Sequence, residues 1–458
     1  MAPPGKILVV VQLSGGNDGL NTVVPYRNDI YYRERPGIAI KPDDVLKLND
    51  DIGLHPAMTP LKALYDNGLL TIINNAGYPN PDRSHFRSMD IWQTATDADK
   101  YGQTGWLGRY LDKANDPEPY RTLEIDDTLS RALKGDRLNG LALLDPKKLY
   151  NQTRSGMVKK LSQAHDHEHE TASYLYKTLT ETVSSAEYVF DKAKVKSTGT
   201  AYPANELGNW LKTVSQLIQS GVVTSVYCVS ISGFDTHINQ PGQQERLLRQ
   251  YAESVGAFMA DLKTAGRQND VMLMTFSEFG RRVKQNASNG TDHGKASNVF
   301  LIGGGMPAQR VMNEAPNLSN LTDGDLKYTV DFRQIYATLL RNYLGADDIA
   351  ILGKKFDTLK FVRGFILTQR DGDCTDIREF FSVSSVQSPS LCVKTFLLIP
   401  VSPVNSRPGR PENLRCLGNA HRPLVSYPPD EPTGPDLWSF CRSQRSRRIP
   451  LRGRWRSR

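Results

Sequence analysis

Seven acidic and imidazole side chains stand in short motifs where strands end or helices begin. They are Asp18 in SGGNDGLN (14–21), His85 in RSHF (83–86), Asp235 and His237 in GFDTH (233–237), Glu278 in SEFGR (277–281), and Asp292 and His293 in GTDHG (290–294). Carboxylate oxygens mixed with imidazole nitrogens suit zinc, manganese or iron rather than calcium, which prefers oxygen alone. Each motif taken alone also has a structural use. DTH can cap a helix, DHG can form a turn, and SEFGR can be a surface ion pair. The chemical reading rests on all of them meeting at one edge of one sheet, the edge where α/β folds collect their ligands.

The elements that would bring them there are legible in the hydrophobic pattern. KILVVVQLS (6–14) is a continuous apolar run and reads as a strand buried on both faces. Gly15, Gly16 and Gly19 then allow a sharp turn around Asp18. Further strands are expected at 69–77, 222–232, 270–280 and 297–305, with helices at 56–68, 85–95, 204–220, 242–266 and 330–345. This alternation predicts an α/β fold with a mostly parallel sheet and helices on both faces. Residues 115–200 are polar and charge-rich, and read as a helical insertion packed over the sheet.

The formal net charge is +8, and all of the surplus lies in residues 363–458, where arginine nearly replaces lysine. Residues 1–362 balance, so the body has no global field drawing it to polyanions and no specific nucleic-acid partner is expected. The stretch 363–458 lacks periodicity and carries four of the five cysteines at irregular spacing. It reads as a disordered tail, with a basic arm for nucleic acid or anionic lipid as the functional alternative. No apolar run reaches the roughly 18 residues that a membrane span needs. Residues 1–12 hold no basic leader with a cleavage site. Of the other histidines, His165, His167 and His169 in HDHEHE form a self-compensating charged face. His55 caps or packs a helix start. There is no G-x-S-x-G elbow, P-loop, G-x-G-x-x-G or H-E-x-x-H.

The succession LSGGNDGLNTVVP, LHPAM, NPDRSHFRSMDIWQT, GWLGRYLD, SGFDTHINQ, MTFSEFGRRVKQNASNGTDHG and VFLIGGG, in that order over residues 5–362, resembles the bacterial family of domain of unknown function 1501. That family is similar to the alkaline phosphatase and sulfatase superfamily. The resemblance implies an alkaline-phosphatase-like domain over 1–362 and a hydrolase of phosphate or sulfate esters, with a small-molecule or polymer substrate. It also implies one or two divalent ions, zinc or manganese, and export by the twin-arginine route to the periplasm or cell surface. By the same resemblance Asp18 ligates one metal, Asp235, His237 and His293 hold another, and Ser84 at a helix start is the nucleophile.

One position departs from the superfamily pattern. Its late Asp-His pair stands here as Glu278-Phe279, and phenylalanine cannot ligate, so a second metal would have to recruit His85. Arg83, Arg87 or Arg281 is expected to hold a non-bridging ester oxygen by a forked contact. The alternative is a metal-stabilised binding or surface protein of the same fold without turnover.

Overall fold

The computed structural model describes residues 5–162, 170–193, 199–304, 306 and 311–362. The tail from 363 and His165, His167 and His169 lie outside the described residues. The strands of the main sheet are β1 (Ile7–Leu13), β2 (Leu70–Gly77), β3 (Thr122–Glu124), β4 (Leu141–Ala142), β5 (Val226–Ile231), β6 (Val271–Phe276), β7 (Ser297–Gly303) and β8 (Val330–Asp331). Their spatial order is β8-β2-β7-β6-β1-β5-β3-β4. All neighbours pair parallel except β7, which is antiparallel to both β2 and β6. The reversal has a consequence for the site: the loop leading into β7 lies at the edge where β1, β5 and β6 end, so His293 arrives there too.

The main helices are α1 (Thr59–Asp66), α2 (His85–Thr94), α3 (Trp106–Asp112), α4 (Pro146–Thr153), α5 (Glu170–Ala193), α6 (Glu206–Gln219), α7 (Gln240–Thr264) and α8 (Phe332–Thr338). Because side chains alternate along a strand, β1 serves two cores. Val9, Val11 and Leu13 pack with Leu61, Leu211, Val214, Leu248 and Tyr251 from α1, α6 and α7. Leu8 and Val10 face the other way, among Trp92, Trp106, Phe332 and Tyr336 from α2, α3 and α8. Each such fully buried side chain contributes about 1.5–3 kcal/mol of transfer free energy.

Residues 115–200 correct one expectation. Their α-helices begin only at Pro146. β3 and β4 extend the sheet beyond β5, with Leu123, Ile125, Leu141 and Leu143 buried in the core. Short apolar alternations were masked by the surrounding charge. None of the helices among the described residues is long and apolar enough to cross a membrane.

Candidate metal centre

The turn after β1 is fixed from two sides. Gly15 and Gly16 take positive φ values of 118° and 72°, and side chains would not fit there. A Cβ on Gly15 would lie 2.5 Å from the Asp235 nitrogen, and one on Gly16 would lie 2.2 Å from the Phe279 ring. The Gly15 N–H donates to Glu278 Oε1 at 2.8 Å, and the Asn17 N–H donates to Ser277 Oγ at 2.8 Å. The first loop is thereby stitched to the loop after β6.

Asp18 is fully buried at the start of a short helical turn, Gly19–Thr22. One carboxylate oxygen accepts from the Leu20 and Asn21 N–H groups. The other accepts from Arg35 at 2.6 Å and from Gln240 at 2.5 Å. All of these contacts are to groups outside the set of histidines. The structure therefore places Asp18 in a buried ion pair, and its carboxylate is taken up before any metal is considered. Arg35, the residue responsible, carries no motif by which the sequence could have singled it out.

The other residues do meet. His237 Nε2 stands 3.0 Å from Asp235 Oδ1 and 2.9 Å from His293 Nε2, and His293 Nε2 stands 3.1 Å from the same Asp235 oxygen. His85 Nε2 lies 3.5 Å from Asp235 Oδ2. The ligand atoms of His85, Asp235 and His293 all fall within 4.8 Å of one another. Donors bound to one tetrahedral ion at about 2.1 Å would stand roughly 3.4 Å apart, close to the separations of Asp235 from His85, His237 and His293. Three imidazoles and one carboxylate also match the donor chemistry of zinc or manganese. His85 Nε2 is in addition a buried nitrogen with no hydrogen-bond partner.

The far side of each imidazole is anchored. His85 Nδ1 lies 2.9 Å from Glu278 Oε1, His293 Nδ1 lies 2.7 Å from the Arg83 carbonyl oxygen, and His237 Nδ1 lies 3.3 Å from Asp292 Oδ1. An oxygen acceptor at Nδ1 holds the proton there and leaves the Nε2 lone pair free for a metal. Glu278 and Asp292, expected as ligands, are found on the Nδ1 side of His85 and His237. The spacing of motifs gave no way to tell these two roles apart.

Charge in the cluster follows from these contacts. Burial alone would raise the Asp235 carboxyl, yet donation from Arg281 and the nearness of His293 hold it at about 2. The hydrogen bond to Glu278 raises His85 above its ordinary value. Burial lowers His293, and the Asn286 amide lowers Asp292. Arg281, only 2% exposed, donates to Asp235, to the carbonyls of Gly15, Gly16 and Phe234, and to Thr291. It is a clamp that joins three loops. Its guanidinium is consumed by protein oxygens, which removes it as a holder of ester oxygen.

Residues 5–357 match the family model described as protein of unknown function, DUF1501. The chain belongs to that family. A comparison with curated proteins finds no match. Similar solved structures include an alkaline phosphatase superfamily protein from Vibrio parahaemolyticus, with 10% identity, 81% of this chain and 74% of that one covered, and a TM-score of 0.37. Another is the PsFucS1 sulfatase from Pseudoalteromonas sp., with 14% identity, 78% and 72% coverage, and a TM-score of 0.36. A third is the C-terminal periplasmic domain of EcEptC from Escherichia coli in complex with Zn, with 12% identity, 66% and 73% coverage, and a TM-score of 0.31.

In this DUF1501 chain the remaining candidates lie at the start of α2. Ser84 is exposed and makes no capping bond with its hydroxyl. Arg83 pairs with buried Asp325. Arg87 pairs with Asp90 at 2.6 Å and lies 3.9 Å over the Tyr101 ring. Phe279 sits against the histidines, its ring 4.8 Å from His85 and 4.7 Å from His293.

Proposed function

We propose that the protein is a metal-dependent hydrolase of phosphate or sulfate esters. The observation that carries this reading is the convergence of three anchored Nε2 atoms and Asp235 beside the open start of α2. His85, Asp235, His237 and His293 would hold the ion. When bound, such an ion supplies positive charge that polarises an ester and lowers the pKa of a nearby hydroxyl.

The chain's own groups do the rest. The first N–H groups of α2 lack a side-chain cap and favour an anionic group at that end. Ser84 Oγ, uncommitted to the helix, is the group we assign to attack phosphorus or sulfur. The bond formed is from Oγ to the central atom, and the bond broken is to the leaving oxygen, which departs as an alcohol with a proton. Water then releases phosphate or sulfate and restores the serine. The clamp by Arg281 keeps Asp235 ionised and in place throughout.

Phe279 and the committed arginines favour a second reading, a metal-stabilised binding protein without turnover. Arg83, Arg87 and Arg281 all have protein partners, which leaves fewer groups to neutralise a transferred anion. Purified protein assayed on aryl phosphates and aryl sulfates, with and without chelator, separates the two. Chelator-sensitive turnover that is lost in Ser84→Ala supports the enzyme. Bound metal with no turnover on either ester supports the binder.

A further inference from the structure

On the face of the sheet covered by α2, α3 and α8, a recess of about 30 Å³ opens beside the carboxyl-terminal ends of β1, β5 and β3. Taking 10–15 Å³ for one water, it has room for roughly two or three non-hydrogen atoms. Trp92, Trp106, Phe276 and Tyr336 form aromatic walls, and Gln12 and Glu124 stand among the polar ones with Gln93, Ser130 and Ser230. Gln12 Nε2 and Trp92 Nε1 are buried donors with no hydrogen-bond partner, in side chains only 8% and 2% exposed. An orphaned buried donor bears the full cost of its desolvation.

The Trp92 donor is held in place. The Trp92 ring is stacked between Phe276 at 4.7 Å and Phe332 at 4.2 Å, and Tyr336 donates to its carbonyl at 3.0 Å. Gln12 lies within β1, paired in register with Ser230 and Phe276 on its two sides. No lysine or arginine lines the recess, so an anion buried there would lack a counter-charge, at heavy cost. We propose that this recess is a binding site for a small uncharged group, a hydroxyl or carbonyl on two or three heavy atoms, whose oxygen accepts from Gln12 Nε2 and Trp92 Nε1.

Glu124 fits the same chemistry. Burial raises its carboxyl to about 7, against donation from the Ser130 N–H, so near neutrality it offers an O–H as well as an acceptor. Seven residues of α2 separate Trp92 from His85, about 10 Å along the axis. The site is therefore distinct from the histidine cluster and stands independently of the hydrolase reading.

Full-length protein carrying ¹⁵N at its five tryptophan indoles tests this by titration with methanol and, separately, formamide. One indole resonance should move saturably with at least one of the two, and it should be the one lost in Trp92→Phe. If that variant does not fold, replacing the other four tryptophans one at a time assigns the resonance instead. Gln12→Leu should raise the half-saturating concentration about tenfold, the loss expected for one hydrogen bond. A linear drift of all five resonances, an equal response to sodium sulfate, or unaltered binding in Gln12→Leu would overturn the proposal.

Discussion

His85 Nδ1 and Glu278 Oε1 lie 2.9 Å apart, and the same Glu278 oxygen accepts the Gly15 N–H at 2.8 Å. One buried carboxylate thus ties the turn after β1 to the first residue of α2. It also fixes which nitrogen of His85 faces Asp235.

If Glu278 orients the ligand, replacing it should weaken the metal without removing a ligand. Glu278→Gln is expected to lower metal affinity by about 10- to 100-fold while the protein remains folded. Competition against a fluorescent chelator reads this directly. Affinity equal to wild type would show that His85 needs no such anchor.

Asp18 gives the opposite expectation. Breaking a buried ion pair from one side leaves Arg35 uncompensated and costs about 3–5 kcal/mol. Asp18→Asn, close in size, should therefore lower the melting temperature markedly and leave the metal stoichiometry unchanged. Loss of metal from a folded Asp18→Asn protein would return Asp18 to the centre.

These two residues mark how far the sequence could be read. β1 and the other long strands were visible because their apolar runs are continuous, and α7 because its apolar face repeats over many turns. Asp235, His237 and His293 were recognisable because each follows a strand end or enters the same edge. What the sequence did not separate was a side chain in the cluster from one that holds it from behind. Asp18, Glu278 and Asp292 are all carboxylates in turn motifs, and only the positions of Arg35, His85 and His237 decide what each one holds. Arg35 lies in an unremarkable polar stretch, and its partner is 17 residues away. β3 and β4 escaped notice because strands of three and two residues leave too little periodicity to stand out among charges.

Glu124 predicts a pH effect on stability. Its carboxyl rests near 4.5 in the unfolded chain and at about 7 in the fold. Folding therefore favours the protonated form. The stability this group contributes is fully present below pH 4.5, declines as pH rises, and is gone above about 7. The span corresponds to about 3 kcal/mol. In Glu124→Gln that decline should vanish, so denaturant midpoints measured from pH 4 to 8 should fall less steeply than in wild type. Parallel profiles would show that Glu124 titrates normally.

The central claim is that His85, Asp235, His237 and His293 hold one ion between them. Its most direct test is metal content and zinc titration of the purified protein beside a folded His293→Ala variant. The account predicts about one tightly held equivalent in wild type and at least a hundredfold weaker binding in the variant. Wild-type protein that takes up no stoichiometric zinc or manganese, or a variant that binds as tightly, would contradict it.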